Sequence, residues 1–134
     1  MTKTLHTSKS GFTLVEIMIV VAIIALLATI AVPSFLRARK RSQATKIIND
    51  ARILESSIDQ WAIEKNKTNA DAVTWSDVSD YVKESSELFR TSGADLFGNA
   101  FTMATVVDGV KVNQTSYDNL SDVTTDDFWG SYKP

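Results

Sequence analysis

Gly11-Phe12-Thr13-Leu14-Val15-Glu16-Ile17-Met18-Ile19-Val20-Val21-Ala22-Ile23-Ile24-Ala25-Leu26-Leu27-Ala28-Thr29-Ile30-Ala31-Val32-Pro33 is the stretch from which the rest of this chain is read. Continued to Leu36, it gives about 25 mostly apolar residues from Phe12 onward, enough for one helix to cross the hydrocarbon core of a bilayer. A single carboxylate, Glu16, interrupts it near its start. An ionisable group in lipid is costly, so Glu16 is the first candidate functional residue, and it needs a partner.

The 134 residues carry a formal net charge of -2, and that small value hides an asymmetry. Six of the 14 Lys/Arg but only one of the 16 Asp/Glu lie before residue 42, so residues 42–134 hold 8 basic against 15 acidic groups, a net of -7. Such a surface argues against nucleic acid as a partner, because phosphate binding needs a basic stripe. There is no cysteine, and the one histidine is His6. Disulfides, thiolate catalysis and cysteine-ligated metals are therefore excluded. If the first eleven residues are removed, Ser–His and Cys–His chemistry and most transition-metal sites go with them. The composition points away from an enzyme.

Met1–Gly11 is short, polar and mildly basic, through Lys3, His6 and Lys9. An ordinary secretory signal places its apolar region ahead of the cleavage site. Here the small residue Gly11 comes first, so cleavage after it would leave the apolar helix on the mature chain. Hydropathy alone allows an uncleaved signal anchor equally well. The residues Lys9–Ala28, continued by Ile-Ala-Val-Pro-Ser-Phe at 30–35, closely resemble the N-terminus of the type IV pilin and type II secretion pseudopilin superfamily. Gly11, Phe12, Thr13, Leu14, Glu16 and Pro33 stand where that pattern has them.

The resemblance implies cleavage between Gly11 and Phe12 by a prepilin peptidase, followed by N-methylation of Phe12. It also implies assembly through the N-terminal helix, with the Phe12 ammonium of one subunit neutralising Glu16 of its neighbour. Buried alone, either charge would cost several kcal/mol, so the pairing would set the register of a filament. Pro33 removes an amide donor and crowds the preceding turn. A kink or local melting is expected between about Ala25 and Pro33, an extension that filaments of this family are thought to use. Arg37, Arg39, Lys40 and Arg41 follow the apolar run. Taken alone, the positive-inside rule would put them in the cytoplasm. The resemblance implies the opposite: a single-pass protein of the bacterial inner membrane with a cytoplasmic N-terminus and a periplasmic head. The cleavage motif is more specific than a charge count, and the basic cluster could lie on anionic headgroups instead.

Beyond the cluster, Ile47, Ala51, Leu54, Ile58 and Trp61 recur at spacings of 4, 3, 4 and 3, flanked by Ile48 and Ala62. This is a helical core stripe. No Gly or Pro falls within 34–66, so one helix is expected from about Phe12 to Glu64, with Arg52, Glu55 and Asp59 on solvated faces. Asn66–Ala72 reads as a loop. Thr74-Trp75-Ser76-Asp77 reads as a capping box opening a short helix to about Val82. Asp108-Gly109, between Phe101–Val107 and Val110–Gln114, reads as a two-residue hairpin turn. Ser86–Arg90 is the candidate third strand. The predicted fold is α+β, a long N-terminal helix packed against a small antiparallel sheet. Its divisions are a leader at 1–11, a transmembrane and assembly helix at 12–36, and an amphipathic extension with a head at 37–134.

Asp95-Leu96-Phe97-Gly98-Asn99-Ala100-Phe101 resembles the Asp-Pro-Trp-Gly-Asn-Pro-Tyr turn of major pseudopilins, without its prolines. In the tail, Asp118, Asp122, Asp126 and Asp127 are the candidates for a carboxylate–carbonyl calcium site, which major pseudopilins often carry. The alternative is that Ser121 or Asp122 caps a short helix, the remaining acids are solvated, and Phe128–Trp129 anchor the tail. The reading adopted is a non-enzymatic structural subunit of a type II secretion pseudopilus or a type IV pilus. It would polymerise with itself and depend on a prepilin peptidase, an assembly ATPase and an inner-membrane platform protein. The competing reading is a monomeric, single-span, membrane-anchored binding module.

Overall fold

The computed structural model describes residues 11–134; most of the expected leader, with Lys3, His6 and Lys9, lies outside the described residues. The chain divides into two units between Leu36 and Arg37. One helix, α1 (Leu14–Glu64), supplies the described helix of the first unit and the central element of the second.

In the first unit every side chain from Gly11 to Leu36 is exposed. Leu14 reaches 75% and Ile30 69%. The segment is long and apolar enough to cross a membrane. The melting expected ahead of Pro33 does not occur, and α1 runs unbroken through it. Proline deprives only one carbonyl, four residues back, of its amide. The adjoining turns carry hydroxyl bonds: Thr29 Oγ1 donates to the Ala25 carbonyl at 2.9 Å and Ser34 Oγ to the Ile30 carbonyl at 3.3 Å.

In the second unit the predicted stripe is the core. Ile47, Ile48, Ala51, Leu54, Ile58, Trp61 and Ala62 are all buried, joined by Ala44 and by Ser57, whose hydroxyl is satisfied by the Ile53 carbonyl at 2.8 Å. Arg52 and Asp59 are exposed, but Glu55 is half-buried and accepts a 2.6 Å hydrogen bond from the Tyr132 hydroxyl. Helix α2 (Trp75–Val78) begins after Thr74 and continues as a 3-10 turn, Ser79–Tyr81. The Asp77 carboxylate accepts from the Thr74 amide at 2.9 Å, the return half of the predicted capping box.

The sheet differs from its expectation. Strands β1 (Thr102–Met103) and β2 (Val110–Lys111) pair antiparallel, Met103 opposite Val110, leaving six residues between them instead of two. A type I′ turn needs positive φ at both central residues. Gly109 has it at +66°, while Asp108 is not among the positive-φ residues. Residues 104–107 pair elsewhere. The Val73 amide donates to the Ala104 carbonyl at 3.3 Å, Val106 to Asp71 at 3.1 Å and Val107 to Asn69 at 3.1 Å. The third chain beside the hairpin is thus 69–73, which runs from the expected loop, 66–72, into Val73. Ser86–Arg90 is not a strand: Ser86 accepts from the Phe89 amide and opens the one-turn helix α3 (Glu87–Arg90).

Helix α4 (Gln114–Leu120), capped by Asn113, has no counterpart in the sequence reading. Ser121 follows its last turn instead of opening a helix. The tail helix α5 (Asp126–Trp129) begins after Thr125 and leads into a 3-10 turn, Gly130–Tyr132. Trp129 is 1% exposed and donates to Thr124 Oγ1 at 3.0 Å, whereas Phe128 is 39% exposed. Trp129 alone of the expected pair is a core anchor.

Candidate functional site

Two places carry the chemistry singled out from the sequence: the start of α1 and the acidic tail. At the first, Gly11 and Phe12 are exposed and lie in non-helical backbone ahead of the helix. Thr13 caps α1. The Glu16 carboxylate accepts from the Thr13 amide at 2.7 Å and from the Thr13 hydroxyl at 2.8 Å, and the Glu16 amide donates back to Thr13 Oγ1 at 3.2 Å. This is a capping box, Thr-x-x-Glu ahead of an apolar run, and the pattern was available in the sequence. It gives Glu16 a partner inside its own chain. An acid in the first turn also suits the positive end of the helix dipole. Pro33 lies far down the same helix, 17 positions after Glu16, and is not brought to this end.

The four tail aspartates do not converge on one another. Asp122 is bound by Lys40 Nζ at 2.9 and 2.8 Å to its two oxygens. That ammonium holds the Asp122 carboxyl below the usual range. Asp126 accepts from Lys133 and from the Tyr117 hydroxyl. Those bonds lower the Asp126 carboxyl and push the Tyr117 phenol up. Asp118 accepts from the Gln114 side-chain Nε2 at 2.8 Å, and Asp127 is exposed. Among the described residues no group of three or more His, Cys, Asp or Glu could hold a metal ion. Lysines of the same chain thus hold two of the four tail carboxylates.

The turn at Asp95–Phe101 is built around a buried acid, 2% exposed. Asp95 Oδ1 accepts from the amides of Phe97 at 2.9 Å and Asn99 at 3.0 Å, and the Ser116 hydroxyl of α4 donates to Oδ2. The Asn99 side-chain amide donates to Ser116 in turn at 2.9 Å. Gly98, at φ +83°, supplies the left-handed residue that closes the turn. Neither Ser116 nor the closure of Asp95 onto it was apparent from the sequence.

A family model described as the prokaryotic N-terminal methylation motif matches residues 6–32, taking in Gly11, Phe12 and Glu16 and stopping one residue short of Pro33. The chain carries a prokaryotic N-terminal methylation motif. The chain is similar to curated proteins of two kinds. It is 32% identical to the type II secretion system core protein G of Aeromonas hydrophila over 59 residues, 44% of this chain and 41% of that protein. It is 34% identical to the type IV major fimbrial protein FimA of Dichelobacter nodosus over 67 residues, 50% of this chain and 42% of that protein. A fimbrial protein of Pseudomonas aeruginosa is 39% identical over 57 residues, 42% of this chain and 37% of that protein. The chain spans less than half the length of these relatives. No solved structure matches it.

Proposed function

We propose that this chain is a structural subunit of a pilus-like filament, cut between Gly11 and Phe12, N-methylated at Phe12 and assembled through its N-terminal helix. The observation that carries the reading is the methylation motif at the start of an apolar helix whose residues from Leu14 to Leu36 are all exposed. An apolar surface of that size must be taken up by lipid or by other copies. The subunit waits in the inner membrane, with its head on the periplasmic side, and moves into a filament. Prepilin peptidase, an assembly ATPase and a platform protein are the machinery this requires. The turn at Asp95–Phe101 favours a secretion pseudopilus over an adhesive pilus. No catalytic step is assigned.

In the waiting state the Glu16 carboxylate accepts hydrogen bonds from its own Thr13, which stabilise its charge without neutralising it; in the filament it pairs with the Phe12 ammonium of a neighbour. Because Glu16 is also a helix cap, two variants are needed to test the reading. Glu16→Ala abolishes filaments at equal expression, while Thr13→Ala, which removes the hydroxyl half of the cap and keeps the acid, retains most of them. Equal loss in both would reduce Glu16 to a capping residue. Wild-type yield in Glu16→Ala would remove its assembly role. Since the chain lacks cysteine, single cysteines placed beside Phe12 and Glu16 report contact between copies without background, and a monomeric anchor gives no cross-link.

A further inference from the structure

The head is acidic, yet its basic residues are gathered where it begins. Arg37, Arg39, Lys40 and Arg41 fall within five residues of Leu36, about 7 Å of helix at 1.5 Å per residue. The structure separates their roles. Lys40 is committed to Asp122, and Arg41 Nε donates to the Val123 carbonyl at 3.3 Å. Arg37 and Arg39 are exposed, as is Arg41. Beside them opens a groove of about 340 Å³ lined by Arg41, Thr45, Val123, Thr124, Thr125 and Phe128. Phe128 is exposed there next to its fully buried neighbour Trp129. Of the nearby acids, all exposed, Asp122 is paired with Lys40 and Asp126 with Lys133, while Asp127 adjoins Phe128 in sequence.

We infer that the collar Arg37, Arg39 and Arg41, with Phe128 beside it, is a seat for the anionic phospholipid headgroups of the leaflet where the apolar segment ends. Guanidinium groups bind phosphate through paired donors, and an exposed apolar side chain such as Phe128 can bury shallowly in the interface beside such charges. Charge complementarity gives the seat a direction. A body of net -7 is repelled by an anionic surface everywhere except at its basic end. The Lys40–Asp122 pair keeps an acid of the tail from cancelling the collar. The seat rests on the reading of Phe12–Leu36 as a membrane span.

The test uses the full chain in lipid nanodiscs, one chain per disc, with an environment-sensitive fluorophore on Asp127→Cys. A second label on Val107→Cys is the control, because Val107 bonds to Asn69 beyond the other end of α1. Discs of phosphatidylcholine are compared with discs containing phosphatidylglycerol. The Asp127→Cys probe blue-shifts in the anionic discs alone, and the Val107→Cys probe does not. Molar salt, which shortens screening to about 3 Å, reverses the shift. Arg37→Gln with Arg39→Gln lowers the ratio of seated to lifted heads about thirty-fold, at the usual contribution of each basic residue near an anionic surface. Emission independent of lipid charge in chains that do enter the discs overturns the seat while leaving the span intact. Failure to enter either disc overturns both. A shift that appears only with two chains per disc overturns the lipid seat in favour of an interface between copies.

Discussion

The two parts of α1 are built from similar apolar residues and meet opposite fates. From Leu14 to Leu36 the helix is apolar on all sides, and none of it is buried by its own chain. From Ala44 to Ala62 the apolar residues keep to one stripe, and that stripe is the centre of a core closed by Val78, Leu88, Val110, Leu120 and Trp129. The difference is one of pattern more than of composition. A helix apolar all round finds no single face to lay on a head, so it must be solvated by lipid or by other helices. A striped helix organises a head around itself. Truncation should therefore be costly in one part and silent in the other.

The largest contrast is between Trp129→Ala and Leu26→Ala. Emptying the Trp129 site should cost about 3–5 kcal/mol of head stability. Leu26→Ala, at a position with no intrachain cover, should leave the head's unfolding within about 0.5 kcal/mol of wild type. Urea unfolding of the detergent-solubilised chain, followed by tryptophan fluorescence and near-UV dichroism, measures both. A Leu26→Ala effect of core size would mean that the two parts are not energetically separate. Next comes Asp95→Ala, which removes the acceptor of two backbone amides and the Ser116 hydroxyl, at a cost of about 3 kcal/mol. Loss of α4 protection in hydrogen exchange would locate that damage, and an unchanged exchange pattern would mean that the turn and α4 are not coupled through Asp95.

Asp50 gives the smallest effect and one with a definite sign. It is half-buried on the head part of α1, and that burial pushes its carboxyl up; Lys46 opposes the shift, while Asp95 and Glu87 add to it. A raised pKa in the folded state means the head carries an unfavourable charge above that value and takes up a proton before the unfolded chain does. Asp50→Asn should thus be more stable than wild type at neutral pH, with the gap closing as pH falls through the raised value toward the ordinary 3.8. Parallel unfolding curves at every pH would sink this assignment.

How far the fold could be read from its residues follows from the same division. The stripe was legible because helical period and burial coincide at Ile47, Ala51, Leu54, Ile58 and Trp61. The Thr74–Asp77 box was legible because its signal is local. Asp108-Gly109 misled because a turn signal is only a local preference. Residues 104–107 found hydrogen bonds with 69–73, a pairing with no sequence signature, and the strands shrank to two residues each. Helix α4 has only seven residues, with Asn113 as its start signal, and it opens inside the segment assigned to the second strand. At the candidate site, Gly11, Phe12 and Glu16 stood out by pattern, but the partner of Glu16 three positions upstream did not. The hydroxyl and amide of Thr13 serve that acid within its own chain.

The spread of the core along the chain, from Ala44 to Trp129, bears on the order in which the molecule is made. Residues 12–36 are complete before the first core residue has been synthesised. The core cannot close until Trp129 arrives, 93 residues after Leu36, on the order of 5–20 s later at bacterial or slower synthesis rates. The apolar segment thus has its choice of solvent settled while the head is still an open polymer, and the head then folds as a single late event on a tether already committed.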